Sequence, residues 1–285
     1  MNPLSLETPG KINLFLEVKG KRADSWHELL TLFYPVRGLT DQVEIRFGGT
    51  GIRIRCSLPG VPLNEDNLAA KAALAFFAAA GEPCPGMEIT LEKRLPAAGG
   101  MAGGSSNAGA VLRLLQQYSG NALPAEKLAE VALSLGSDVP YFLDPVPAVG
   151  RGRGEILTPV ELPDDLPLLL VPGSFPISAA WAYAHWKDVP QTKSADLDDL
   201  LPLLAAKNYT EAGKLLRNDL EPAALHKFPL LRKLTELLRS SGGSPLMSGS
   251  GPTLFALYPD AAARDRAFNR CKDEIEKNQV SLIKP

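Results

Sequence analysis

The sequence predicts an α+β protein built as two lobes, and three observations carry that expectation. The first third of the chain holds period-two apolar segments, Ala- and Leu-rich runs with helix punctuation follow, and the texture changes after residue 160, where strands and amphipathic helices resume. At 285 residues the chain is long for one compact unit and suits one large domain or two smaller ones. A soft boundary near residue 155 divides it into 1–155 and 156–285.

Taken in order, Ile12, Leu14, Leu16 and Val18 alternate with other residues, which predicts a half-buried strand with Asn13 on its opposite face. Residues 43–47 and 52–56 read as two strands joined in a hairpin by Gly48-Gly49-Thr50-Gly51. Residues 67–80 lie between the polar Asn64-Glu65-Asp66 and Gly81, which predicts a helix punctuated at both ends. A strand over 87–91 and helices over 105–118 and 124–135 follow, the last with Pro124 at its first position and Gly136 beyond its end. In the second half, 166–171 and 253–258 read as strands and 196–206 and 230–239 as amphipathic helices. No internal repeat or low-complexity tract interrupts the pattern.

Composition narrows the function. Thirty Lys and Arg against 32 Asp and Glu give a formal net charge of -2, so no global basic field exists for nucleic acid or an anionic membrane, and an anion must be bound locally. Cys56, Cys84 and Cys271 are too few and too scattered for a disulfide framework or a zinc site and are expected to be buried thiols. No apolar run reaches the length of a membrane span and no leader pattern opens the chain, which predicts a cytoplasmic protein.

The densest chemical signal is Pro96-Ala97-Ala98-Gly99-Gly100-Met101-Ala102-Gly103-Gly104-Ser105-Ser106-Asn107, between a predicted strand and a predicted helix. Glycines let backbone N–H groups approach an anion, the helix start adds unpaired N–H groups, and the serines add hydroxyl donors. Alone, the segment also reads as a flexible turn with Ser105 as a helix N-cap. A second glycine turn, residues 246–253, and Pro9-Gly10-Lys11-Ile12-Asn13 bring the phosphate-friendly segments to three.

Those three elements in that order resemble the GHMP kinase superfamily. With Ser25-Trp26-His27-Glu28-Leu29, Gly136-Ser137-Asp138-Val139-Pro140 and Gly152-Arg153-Gly154-Glu155, the resemblance spans the chain and narrows to the branch that phosphorylates a cytidine diphosphate-linked methylerythritol on the non-mevalonate route to isoprenoid precursors. It implies a two-lobe fold with the active site in the cleft between lobes, ATP as co-substrate and Mg²⁺. The N-terminal lobe would bind ATP and the C-terminal lobe the substrate, with a last strand over 280–284 returning to the first lobe.

The resemblance also implies roles for single residues. Lys11, Asp138 and Asn13 are the catalytic set, with Asp138 accepting the hydroxyl proton, Lys11 stabilising phosphate charge and Asn13 holding the hydroxyl. ATP binding falls on 96–106, with the adenine near Asn67. Met101-Ala102 stands where Leu-Gly is usual in the superfamily, and the Cβ of Ala102 disfavours a left-handed backbone there. Cytosine recognition falls on Trp26, His27, the neighbouring Phe33 and an aromatic in 177–183, Tyr183 being preferred to Trp181. Another acceptor alcohol of the same superfamily and a binding-only nucleotide protein are the competing readings. Trp26-His27-Glu28-Leu29 argues against the first, and retention of all three catalytic residues against the second.

Overall fold

The computed structural model describes residues 3–96, 99–190 and 195–285. In chain order run β1 (Leu4–Lys21), β2 (His27–Phe47), β3 (Ile52–Cys56), α1 (Leu68–Ala80), β4 (Met87–Glu92), α2 (Gly103–Tyr118) and α3 (Ala125–Leu135). They are followed by β5 (Ala148–Arg151), β6 (Ile156–Pro159), β7 (Leu168–Val171), α4 (Ala179–His185), α5 (Leu197–Ala205), α6 (Tyr209–Leu215) and β8 (Arg217–Asn218). The chain ends with α7 (Glu221–Lys227), α8 (Pro229–Ser240), β9 (Ser244–Met247), β10 (Leu254–Leu257) and α9 (Ala261–Glu276).

These elements form two compact units interleaved in sequence. Unit one comprises Met1–Gly10, Pro35–Ala97 and Ala102–Val146, and unit two Lys11–Tyr34, Ala98–Met101 and Pro147–Pro285. The chain thus does not divide at a single point near residue 155, because β1 and β2 each contribute one half to either unit.

In unit one the second half of β2 pairs antiparallel with β4, from Gln42 opposite Glu92 to Phe47 opposite Met87, and β3 pairs parallel with β4. The hairpin expected between 43–47 and 52–56 is therefore not formed: β4 pairs with both strands. Gly48 N donates to Gly86 O at 2.8 Å and Met87 N to Gly51 O at 2.9 Å, so the glycine turn carries the chain past β4. Helix α1 begins where Asn67 Oδ1 accepts from Ala69 N and stops at Gly81, φ 70°, in the left-handed region that glycine adopts without a Cβ clash. Its Ala70, Ala73, Phe76 and Phe77 pack with Val111 and Leu115 of α2 and Ile45 and Ile89 of the sheet into one core.

In unit two the first half of β2 pairs with β5 at Thr31–Phe33, and β5 pairs with β6. β8 lies parallel to β1, and β7, β10 and β9 form a separate antiparallel sheet in that order. Leu169, Val171, Leu231, Leu234, Leu254 and Cys271 share its core. Two expectations are corrected here. β1 is buried on both faces across its middle, so the alternation of Ile12, Leu14 and Leu16 does not mark a solvent side. The strand expected over 280–284 is a single bridge, Ile283 to Leu170 of β7, with two 2.9 Å hydrogen bonds, and it stays within unit two. The open edge of β7 supplies the backbone partners that the bridge needs. Of the cysteines, Cys271 is buried and Cys56 and Cys84 are half-buried; Cys56 closes β3, which pairs with β4 alone.

Gly109 fixes the approach of α2 to the 3₁₀ turn Pro140–Leu143: a Cβ there would stand 2.5 Å from Phe142 Cβ and 3.0 Å from its carbonyl oxygen. Gly109→Ala is expected to destabilise unit one by about 1–3 kcal/mol through overpacking against backbone that cannot swing away. Urea unfolding of the two proteins side by side measures this, and equal midpoints would show that the turn yields.

Candidate functional site

Unit two holds Lys11 and Asn13, two positions apart on β1. Lys11 is only 4% exposed, and its Nζ donates to Asn13 Oδ1 at 2.8 Å. The Asn13 amide has one workable orientation. Its Nδ2 donates to Thr31 Oγ1 at 2.8 Å, and the Thr31 hydroxyl donates onward to Phe15 O at 2.7 Å, so the carbonyl oxygen must face the ammonium. Phe33 lies beneath, its ring centroid 5.2 Å from Lys11 Nζ, and the bare Cα atoms of Gly150 and Gly154 pack against that ring.

Two glycine segments close on this pair. Lys11 N donates to Met101 O at 3.0 Å. Ser248 Oγ accepts from Asn13 N at 3.2 Å and donates to Gly100 O at 2.7 Å. Gly249 comes so near that a Cβ would stand 3.3 Å from Asn13 Oδ1 and 3.6 Å from Lys11 Nζ. Gly99, Gly100 and Gly249 all have positive φ. Thr31 and Ser248 are the residues that sequence reasoning left out of the site. Ser248 belongs to the second glycine turn, whereas no motif marks Thr31.

The remaining candidates of unit two lie around His27. Its ring stacks on Tyr183, centroids 5.1 Å apart and planes 19° from parallel. Tyr183 comes from α4, started by Ser178 Oγ accepting from Trp181 N. Trp26 is 53% exposed and carries the Arg153 guanidinium 4.8 Å over its ring. Trp181 turns instead toward His185 and Phe228. Glu28 is tied to Arg22 Nη1 at 2.6 Å and accepts from Gly152 N at 3.1 Å, so the two segments flanking Trp26 are braced. Phe33 lies against Lys11.

Unit one contributes the helix start. Ala102 is the N-cap of α2 and adopts φ 55°, ψ 35°, so the left-handed backbone disfavoured for a residue with a Cβ is what the chain takes. That conformation costs about 1 kcal/mol and is retained where it turns the loop into α2, with Ser106 N donating to Ala102 O at 2.9 Å. Ser105 is thus inside the helix and is not its cap; no side chain caps this end. The first N–H groups of α2, from Gly103 to Ser105, therefore have no intrahelical acceptor. Gly104 faces open space, Ser106 is buried with its hydroxyl on Pro9 O at 2.7 Å and Thr8 Oγ1 at 2.7 Å.

Below that helix start lies a buried network that sequence reasoning missed. Lys93 pairs with Asp41 and donates to Asn107 Oδ1 at 2.8 Å, while Asp41 Oδ1 accepts from Arg94 N and Leu95 N, each at 2.8 Å. Asn67 uses Oδ1 as the α1 cap and Nδ2 on Pro62 O at 2.7 Å. Asp138 is half-buried in the turn between α3 and Pro140, where Val139 N donates to Gly136 O at 3.1 Å. Pro96 precedes the loop; Ala97 and Ala98 lie outside the described residues. Among the described residues no three His, Cys, Asp or Glu side chains converge as a metal cage, and no helix is long and apolar enough to cross a membrane.

Comparison with known proteins adds family relations to this geometry. Residues 67–144 match the model for the GHMP kinases N terminal domain and residues 200–277 that for GHMP kinases C terminal. A 4-diphosphocytidyl-2-C-methyl-D-erythritol kinase of Trichodesmium erythraeum (strain IMS101) is 39% identical, over 96% of this chain and 93% of its own. Its counterpart in Geobacter sp. (strain M21) is 36% identical, over 98% and 96%. A crystal structure of 4-(cytidine 5'-diphospho)-2C-methyl-D-erythritol kinase superimposes with a TM-score of 0.79 at 30% identity, covering 99% of both chains. Homoserine kinase from Cytophaga hutchinsonii shares the fold, with a TM-score of 0.76 at 18% identity, over 99% of this chain and 93% of its own.

Burial first, then the charges of Lys21 and Lys187, holds the His27 imidazole below its ordinary titration range. The sign follows from linkage. Above the usual midpoint of about 6.5 the ring is neutral folded or unfolded and contributes nothing to pH dependence; as pH falls through that midpoint the unfolded chain takes the proton first, and stability is lost. Ring-proton NMR is expected to give His27 the lower midpoint, and His27→Gln to remove that part of the acid destabilisation. A midpoint at or above 6.5 would contradict the environment described.

Proposed function

The chain belongs to the GHMP kinases, among the 4-diphosphocytidyl-2-C-methyl-D-erythritol kinases, and from that membership we propose how its residues divide the reaction. The enzyme transfers the γ-phosphoryl group of ATP to the 2-hydroxyl of 4-diphosphocytidyl-2-C-methyl-D-erythritol, in the non-mevalonate route to isoprenoid precursors. The single observation that carries the assignment of roles is the buried Lys11–Asn13 pair, flanked by glycine segments at Gly100 and Gly249. A buried ammonium beside the bare Cα of Gly249 suits an oxyanion that arrives with the substrate.

In this reading Lys11 stabilises charge on the transferring phosphoryl oxygens, and Asp138 accepts the proton of the attacking hydroxyl. Asn13 fixes the Lys11 ammonium through Oδ1, and its amide hydrogen not used by Thr31 orients the acceptor oxygen. The loop 96–106 receives the ATP phosphates, with the uncapped amides of α2 as donors and the positive end of its dipole toward the anion. Asn67 stands on the adenine side, where its polar atoms serve α1 and its contribution is shape. Mg²⁺ accompanying ATP would be held by phosphate oxygens and water, since the described residues offer no carboxylate cage, and it would neutralise phosphate charge.

The acceptor's cytosine is recognised by His27, Trp26 and Tyr183, with Phe33 supporting Lys11 from below. Stacking is blind to base identity, so selectivity comes from the pyrimidine edge. A neutral His27 has one donor and one acceptor nitrogen to offer. In this reading the protein acts in the cytoplasm.

Lys11→Ala and Asp138→Asn are expected to lower kcat by about 10²–10⁴-fold while nucleotide binding and folding persist, because both groups act on the transition state. Single-turnover kinetics beside equilibrium ATP titration checks this; full turnover in either variant removes that residue from the mechanism. Trp26→Ala and Tyr183→Ala are expected to weaken the acceptor by about 1–3 kcal/mol each, the usual worth of a base-stacking side chain. KM for ATP stays put, and a uridine analogue is a poor substrate of the unaltered enzyme. If both alanine variants lost ATP affinity instead, those aromatics would belong to the adenine end.

A further inference from the structure

Residues 217–221 join β8 to α7 and carry none of the motifs read from the sequence, yet they grip two separate stretches of chain. Toward β1, Leu16 stands opposite Asn218, Asp219 N donates to Leu16 O at 2.9 Å, and Val18 N donates to Asp219 Oδ2 at 2.9 Å. Toward the second glycine turn, Met247 N donates to Glu221 Oε1 at 2.9 Å, and Asn218 Nδ2 donates to both Met247 O at 2.6 Å and Gly249 O at 2.8 Å. Leu220 N donates to Asn218 Oδ1 at 2.9 Å. Two carbonyls on one side and an N–H on the other leave the Asn218 amide a single orientation, and at 3% exposure water does not substitute for it.

The turn that Asn218 holds moves as one piece. Ser248 N donates to Thr253 O and Gly251 N to Ser248 O, each at 2.9 Å, so a displacement at Met247 and Gly249 carries Ser248 with it. Ser248 in turn bonds Asn13 N and Gly100 O, and Gly249 lies against Asn13 Oδ1 and Lys11 Nζ. Asn218 therefore sits beside the strand that carries Lys11 and Asn13 and also fixes the turn that bounds them.

We propose that Asn218 is a positioning residue for phosphoryl transfer: by holding the carbonyls of Met247 and Gly249 it sets the turn 247–251 against the Lys11–Asn13 pair. This rests on the catalytic assignment of that pair. A misplacement of about 1 Å in such a constellation costs roughly 10²-fold in rate.

The test uses the full chain with ATP and the acceptor. Asn218→Ala is expected to lower kcat at least tenfold while both KM values change less than about threefold. Asn218→Ser, which keeps one donor, falls between the two and serves also where the alanine variant does not fold. Leu234→Ala, a core truncation in α8, supplies the structural control: it lowers Tm and leaves kcat of the folded enzyme unchanged. Ser248→Ala combined with Asn218→Ala should lose less than the product of the single losses, because both act through one turn. If Asn218→Ala lowers Tm as the control does but keeps kcat within twofold, or if the two losses multiply, the proposal is overturned. Lys11→Ala, run in parallel, separates the readings: if it keeps full turnover, the catalytic assignment fails and takes this proposal with it; if it is inactive while Asn218→Ala is fully active, only the positioning role fails.

Discussion

The Lys11 ammonium in the middle of β1 is the constraint around which unit two is arranged. Leaving a buried donor without its acceptor costs about 1–3 kcal/mol, and more for a charged group. The structure meets this with a directed chain: Lys11 to Asn13 Oδ1, Asn13 Nδ2 to Thr31 Oγ1, Thr31 to Phe15 O. Each link removes a freedom from the next. Turning the Asn13 amide over would place an NH₂ against an ammonium and a carbonyl against a hydroxyl whose hydrogen is already used. A flexible cation on a four-carbon stem is thereby given one place to be, which a reaction relying on position and charge requires.

Glycine in these segments answers two separate demands. Gly99 and Gly100 are bare because protein comes close: Pro252 stands where the Cβ of Gly99 would be, and Ser248 O where that of Gly100 would be. Gly104 is different, since nothing of the protein lies within 4 Å of its absent Cβ. Close approach of chain to chain explains the first two without any ligand. Of the three, only Gly104 leaves open room over the first turn of α2, so it is there that the loop offers backbone to an arriving anion.

Local signals were legible where the physics is local. Asn67 and Gly81 bound α1 as caps should, and Pro124 and Gly136 flank α3. The order of the three glycine segments carries the family's pattern in the residues alone. The hairpin between β2 and β3 was misread because turn chemistry sees only adjacent residues, whereas β4, which takes the place of β3 beside β2, arrives some forty residues later. Ala102 was misread for a related reason. Intrinsic preference opposes its left-handed backbone by about 1 kcal/mol, a sum that the packed strand before it and the helix after it readily outweigh. Thr31 and Asn218 had no local mark at all, their partners lying 16 and about 30 residues away.

A second lysine shows what a carboxylate partner adds. The Lys93 side chain in unit one is covered, and its charge is met in place by Asp41, whose other oxygen collects Arg94 N and Leu95 N as the chain leaves β4. Asn107 of α2 completes the ring by accepting from Lys93 and donating to Asp41. The consequence is a closed set of charges that ties β2, the exit of β4 and the first turns of α2 together. Such a set holds its geometry without a ligand, and breaking either half would strand the other in a medium that solvates it poorly. Lys11 donates to the carboxamide oxygen of Asn13 and borders a glycine, so its ammonium is aimed by a group whose own orientation Thr31 fixes. Asn107 and Asn13 thus do the same work in the two units, each offering a lysine the carbonyl oxygen of an amide whose other end is already committed.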